Sequence, residues 1–208
     1  MNIRLIALAG LTVCFLFGIL RSEASDATAE LTARLQALEH LQGRFEQRQY
    51  DDSGQLVQVS GGLFRLLRPD YFAWEIESPD SQLVIAGPRF IWHHDRDLET
   101  VTRRPVTGNV DATPLQVLAG DESVLREQFS ISATTEQEYL LEERAGHASF
   151  RQLTLRFAGT TIAGMEIVNK LNQRVVITFT EVDAATALSP ADFDFEPPAG
   201  ADLFYYDE

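Results

Sequence analysis

The chain predicts a strand-rich α+β fold, with one long helix and one short helix covering a face of an antiparallel sheet. Short runs of alternating apolar residues recur along most of its length, and Leu153, Leu155 and Phe157 within Arg151 to Phe157 form the cleanest of them. Turn signals separate these runs at hairpin-like spacing, which argues antiparallel pairing. Strands outnumber helices heavily, so the helices must share one face of the sheet. Many strands that each offer one apolar face imply a curved sheet around a large apolar interior.

Asp26 to Leu41 reads as the long helix. Leu31, Leu35, Leu38 and Leu41 recur at spacings of three and four, and Ser25 or Asp26 can cap it. A strand follows, with Phe45, Gln47 and Gln49 on one face. Asp51-Asp52-Ser53-Gly54 is a turn, so Gln55 to Ser60 returns antiparallel. Gly61-Gly62 relaxes or bends the sheet, and Leu63 to Leu67 is a strand that stops at Arg68-Pro69, where proline keeps Arg68 extended. Tyr71 to Glu77 sets Phe72, Trp74 and Ile76 on one face and Ala73, Glu75 and Glu77 on the other. Gln82 to Ala86 and Arg89 to His94 form a hairpin around Gly87-Pro88, and Leu98 to Thr102 is a short strand.

Ala112-Thr113-Pro114 fits the start of the short helix, Leu115, Val117 and Leu118 its apolar face, and Gly120 its stop. Strands resume at Phe129-Ile131, Tyr139-Leu141, Leu153-Phe157, Ala163-Met165-Ile167 and Val175-Ile177-Phe179. The chain closes on Asp192-Phe193-Asp194-Phe195, then Pro197-Pro198 and a polar tail.

The first residues read as a secretory signal: Arg4, an apolar run from Leu5 to Leu20 broken only by Thr12, then Ser22-Glu23-Ala24 as a small-x-small cleavage site. Cleavage after Ala24 leaves residues 25–208 as one expected domain. Cys14, the single cysteine, lies in that run. Valine precedes it and apolar residues follow, which does not fit lipidation. The remaining chain then has no thiol chemistry and no disulfide. The net charge of −14 argues against nucleic acid or an anionic membrane surface as a partner.

No catalytic pattern accompanies the strands. His93 and His94 are neighbours on a strand and point to opposite faces, so they do not make a zinc site. His40 and His147 are isolated. Serines show no nucleophile-elbow spacing, and no glycine-rich phosphate loop is present. Glu136, Glu138, Glu142 and Glu143 read as solvated faces. No cofactor or metal is expected, and the pattern points to a carrier of something hydrophobic more than to an enzyme.

Taken together and in order, several pieces resemble the periplasmic outer-membrane lipoprotein carrier family, LolA. They are Leu31-Thr32-Ala33-Arg34-Leu35, Gly43-Arg44-Phe45-Glu46-Gln47, the run from Gly62 through Arg68-Pro69-Asp70-Tyr71-Phe72-Ala73-Trp74-Glu75, then Pro79 and Ile91-Trp92-His93-His94-Asp95. Val101-Thr102, Thr113-Pro114 and Phe193-x-Phe195-x-Pro197-Pro198-x-Gly200 follow. Asn172 stands where the family often has aspartate.

The resemblance implies an incomplete antiparallel β-barrel, a half-barrel, with a helical lid over a hydrophobic cavity. It implies that Arg68 latches the lid through hydrogen bonds to its backbone. It implies that Phe72 serves in taking and passing on a lipoprotein, with Trp74, Leu63, Ile85, Ile91 and Met165 as further acyl-chain contacts. The implied partners are acylated lipoproteins, an inner-membrane lipoprotein-releasing ABC transporter and an outer-membrane lipoprotein receptor, met by a monomer in the periplasm. A paralogous carrier or sensor of another amphiphile, a glycolipid or detached lipoprotein, is the alternative. A lipid hydrolase would need a nucleophile and base that the sequence does not display.

Overall fold

The computed structural model describes residues 26–106, 117–118, 122–144 and 148–206. The expected signal peptide with its cleavage site, the Ala112–Pro114 helix start, Gly120 and His147 lie outside the described residues.

Helix α1 (Ala27–Gln36) begins where expected, because the Asp26 carboxylate accepts the N–H groups of Thr28 at 3.1 Å and Ala29 at 3.3 Å. Leu31 and Leu35 are fully buried. The helix is shorter than its apolar spacing suggests. Leu41 belongs to β1 (His40–Tyr50), opposite Leu66 of β2 (Leu56–Leu67). Three-four spacing and strand alternation both turn Leu41 inward, so the pattern alone does not mark the boundary.

The β1–β2 turn follows its residue types. The Asp51 carboxylate accepts the N–H groups of Ser53 and Gln55 at 3.0 and 2.9 Å, and Gly54 takes a left-handed φ of 84°. Gly61-Gly62 does not divide two strands. β2 runs straight through it, and the pairing with β3 (Tyr71–Ser78) shifts register there. A Cβ on Gly62 would fall 1.7 Å from the Glu75 carbonyl oxygen, so the close approach of β2 and β3 requires glycine.

β4 (Gln82–Ala86) and β5 (Phe90–Asp95) form the expected hairpin, followed by β6 (Thr100–Pro105). Leu98 is exposed in the turn before β6, where the Asp95 carboxylate accepts the N–H groups of Asp97 and Leu98. Val117 and Leu118 are helical, and a further helix, α2 (Glu122–Gln128), precedes β7 (Phe129–Thr135). β8 (Glu138–Glu143), β9 (Gln152–Ala158), β10 (Thr161–Val168) and β11 (Arg174–Asp183) complete a second meander. A 3-10 turn at Pro190–Phe193 comes next, and the tail, far from being featureless, forms β12 (Asp202–Tyr205).

The strands make one sheet in the order β12-β6-β5-β4-β3-β2-β1-β11-β10-β9-β8-β7. All neighbours are antiparallel except β12, which runs parallel to β6. β12 and β7 are its two edges and do not pair, so the sheet is open and strand-rich as expected.

Alternation gives the sheet two apolar faces. The inner face carries Phe45, Phe64, Leu66, Leu155, Ile177 and Phe179 against α1 and the helical residues 117–118. The outer face carries a smaller core of Ala73, Leu83 and Ile85, which the segment after β11 covers with Phe193 and Phe195.

Candidate functional site

Strand register builds one wall of the site. Leu66 lies opposite Phe72, and Phe64 opposite Trp74, so all four point inward from β2 and β3. Phe45 lies opposite the glycine at 62, whose missing side chain leaves its ring room to stack on Trp74 at 3.6 Å. Phe72 stacks on the far side of Trp74 at 6.0 Å, and Phe64 meets Phe179 of β11 at 4.7 Å. The result is an aromatic wall spanning β1, β2, β3 and β11.

Leu35, Leu38 and Leu118 face this wall from the helical side, and Leu41, Leu66 and Ile162 close the ends. The pocket they enclose has a volume of only about 20 Å³. That is room for about one water, which needs ~10–15 Å³ by this measure. An acyl chain enters only if the helical side moves away from the wall.

Among the described residues, one charged side chain lines the pocket, that of Arg68. It stands just past the end of β2, and its own N–H donates to the Glu39 carbonyl at 2.9 Å. Its guanidinium crosses from the sheet to the helical layer. Nε donates to the Leu38 carbonyl at 2.8 Å and an Nη to the Leu118 carbonyl at 2.5 Å. Burial pulls the guanidinium down to about 10, so it stays charged at neutral pH. The Leu38 carbonyl lies just beyond the end of α1 and is a loose acceptor of the kind a forked donor suits.

A second arginine holds α1 from the other side. Arg34 donates to the backbone carbonyls of Glu136 at 3.0 Å and Gly159 at 3.4 Å. Its guanidinium lies over the Tyr139 and Phe157 rings and pairs with Glu30 at 3.5 Å. The Tyr139 hydroxyl donates to the same Glu30 carboxylate at 2.5 Å, and burial pushes that phenol up to about 12. Arg126 of α2 pairs with Asp26 at 2.9 Å, joining α2 to the start of α1.

The structure brings Arg68, Phe72 and Trp74 together at the pocket. Met165 sits in the same inner core, opposite Leu155 and Ile177, without reaching the pocket. Ile91 is on the inner face of β5, opposite Ala86 and Arg104, away from the wall. Leu63 and Ile85 correct the expectation. Leu63 lies opposite Glu75 and Ile85 opposite Ala73, so both point to the outer face and do not line the pocket. β2 and β4 are apolar on both faces, which hides the phase.

Phe45, Phe64, Phe179 and Ile162 line or support the pocket and were not among the expected contacts. Phe179 was legible as an inward member of an alternating strand, whereas Phe64 sits in a strand apolar on both faces and Phe45 shares its face with glutamines. Ile162 was not legible, because a register shift between Ile162 and Gly164 reverses the phase read from Ala163, Met165 and Ile167. His93 and His94 take opposite faces as expected: the His93 ring nitrogen lies 3.4 Å from the Gln82 side-chain oxygen, and the His94 ring packs 5.8 Å from Phe195. Burial lowers the pKa of His94, helped by Arg96. No group of three potential metal ligands occurs among the described residues, and none of their helices is long and apolar enough to cross a membrane.

Residues 36–196 match the family described as outer membrane lipoprotein carrier protein LolA. An outer-membrane lipoprotein carrier protein of Alcanivorax borkumensis is 33% identical over 182 residues, covering 86% of this chain and 87% of that one. One from Coxiella burnetii is 29% identical over 203 residues, covering 96% of each. Among crystal structures, an uncharacterized conserved protein from Thermus thermophilus superposes with a TM-score of 0.56 at 8% identity, covering 86% of this chain and 99% of the other. A LolA superfamily protein from Nitrosomonas europaea superposes with a TM-score of 0.50 at 7% identity, covering 81% and 97%. These two share the fold.

Proposed function

The chain belongs to the outer membrane lipoprotein carrier protein family LolA, and we propose that it is a non-enzymatic periplasmic chaperone whose pocket opens to take the acyl chains of lipoproteins. It receives them from an inner-membrane ABC exporter and delivers them to an outer-membrane receptor. The observation that carries this reading is an apolar pocket bridged by the Arg68 guanidinium, which bonds to the carbonyls of Leu38 and Leu118.

The energetics suit a carrier. Each buried methylene contributes about 0.8 kcal/mol, so complete enclosure of several chains would give a complex too tight to release in useful time. The closed state supplies a counterweight. Opening breaks the charge-assisted hydrogen bonds from Arg68 to the Leu38 and Leu118 carbonyls, ~1.5–3 kcal/mol each, and parts Leu35, Leu38 and Leu118 from the aromatic wall. Cargo binding is weakened by whatever opening costs, and closure after handover recovers it. Transfer then needs no energy source within the carrier. Phe72 and Trp74 provide the surface on which chains lie, Ile91 and Met165 extend it along the inner face, and the net charge of −14 keeps the protein off anionic bilayers.

The test is a release assay. The secreted form is incubated with spheroplasts, recovered, and examined for co-purifying triacylated lipoprotein beside an Arg68→Leu variant. The proposal expects a soluble lipoprotein complex with both proteins, and failure of the variant to pass its cargo to outer membranes. Co-purification of a different lipid, with no lipoprotein, would assign the pocket to another amphiphile.

A further inference from the structure

The two edges of the sheet are treated differently. β7 packs beside α1 and α2, whereas nothing among the described residues lies beyond β12. The N–H of Asp202 donates to Glu99 and that of Tyr206 to Arg103, both carbonyls at the β6 side. Alternate residues of a strand point their main-chain groups to opposite sides, so Leu203 and Tyr205 present theirs outward, along the open edge. The side chains there are apolar and half exposed: Leu203 at 44%, Phe204 at 51%, Tyr205 at 48% and Tyr206 at 53%.

Arginines gather at one end of this edge, away from the exposed Asp202 that begins β12, on a chain whose net charge is −14. Arg103 lies 4.4 Å over both the Phe90 and the Tyr205 ring, Arg104 4.8 Å over Tyr206, and Arg89 5.6 Å over Phe90. Arg89 and Arg104 are exposed and have no carboxylate at ion-pair distance among the described residues. Arg103 and Arg104 project from opposite faces of β6, so positive charge flanks the open edge above and below.

We propose that the β12 edge is a docking site for an extended acidic segment of a partner protein, which adds as a further strand. The open main-chain groups of Leu203 and Tyr205 would pair with it. Arginines on both faces would meet carboxylates at successive positions of such a strand, and the exposed aromatics would cover its apolar side chains. An anionic membrane would meet the arginines but leave the ladder groups unpaired, and the rest of the chain repels it. A second copy would set the arginine strip against itself. The site is separate from the pocket and does not depend on what the pocket carries.

The test uses the secreted form of the full chain and a set of ten-residue peptides with glutamates alternating with valine or threonine. Lysine counterparts and vesicles of phosphatidylglycerol in phosphatidylcholine serve as competitors. Amide exchange at Leu203 and Tyr205 is the readout, together with emission of Trp92, whose ring is 6.3 Å from Tyr205.

Acidic peptides are expected to slow exchange at both residues and to bind more weakly as salt rises. Leu203→Pro removes an outward N–H without taking a bond from β6, and Arg104→Glu reverses an exposed charge; each should weaken binding by about tenfold or more. Retained protection at Phe204 and Tyr206 reports that β12 itself is intact in both variants. Absence of any slowing by the acidic set, equal binding of the lysine peptides, a response to vesicles alone, or dimerisation through β12 would each overturn the proposal.

Discussion

Two arginines tie the helical layer to the sheet, and they do it in opposite ways. Arg34 sits in a dense network: two turn carbonyls, two aromatic rings and the Glu30 carboxylate that Tyr139 also holds. Arg68 is the one charged side chain among the described residues that line an apolar pocket, and it bridges the carbonyls of Leu38 and Leu118. The first connection is spread over several contacts. The second depends on one guanidinium whose charge burial already disfavours. Under the proposed function, the β7–β9 side is the fixed end of the helical layer and the β2–β3 side is the one that opens.

The sharpest way to break this contrast is to remove a phenylalanine from each side. Phe150 is 1% exposed and stacks on the fully buried Phe129 at 5.4 Å. Phe150→Ala should cost about 3–5 kcal/mol in denaturant unfolding. Phe72 is only partly buried and already borders a void, so Phe72→Ala should cost about 1–2 kcal/mol while strongly impairing cargo uptake. Equal stability losses at the two positions would remove the distinction between a fixed core and a yielding pocket.

Arg34→Ala comes next. Its contacts are mostly at the surface, so the expected loss is about 1 kcal/mol, seen as faster amide exchange along α1 with cargo transfer retained. Loss of transfer equal to that of an Arg68 variant would make the two arginines equivalent.

The smallest effect is at the start of α1. The Arg126 hydrogen bond, with the N–H groups of Ala29 and Thr28, holds the Asp26 carboxyl below its ordinary 3.8. A lowered folded value means that its contribution is complete above 3.8 and disappears as pH falls through the folded value. Acidification should therefore fray the first turn, read as lost protection at Thr28 and Ala29, before the central strands respond.

The same contrast explains what was legible in the sequence. Where a strand faces one core, alternation exposes it: Phe72, Trp74 and Ile76, or Leu153, Leu155 and Phe157, point inward as read. Where both faces are covered, the signal vanishes. Leu63-Phe64-Arg65-Leu66-Leu67 and Leu83-Val84-Ile85-Ala86 are apolar on both sides, so alternation does not reveal that Leu63 and Ile85 point outward. The outer cover of Ile85, Phe193, comes from more than a hundred residues away along the chain. Ile162 was hidden by a bulge, and β12 by its four-residue length. Arg68 was placed as a latch by resemblance; composition and spacing alone do not distinguish it from a surface arginine.

The chain has two tryptophans, and the fold sets one on each face of the sheet. Trp74 borders the pocket, and Trp92 packs against Phe195 on the outer face. The decisive measurement is the emission of each tryptophan, isolated by Trp92→Phe or Trp74→Phe, during titration with a triacylated lipopeptide. The account predicts a saturable change at Trp74, none at Trp92, and a changed affinity at Trp74 when Arg68 is replaced by leucine. Lipopeptide binding that leaves Trp74 silent, or that is indifferent to Arg68, would contradict an acyl-chain pocket latched by that arginine.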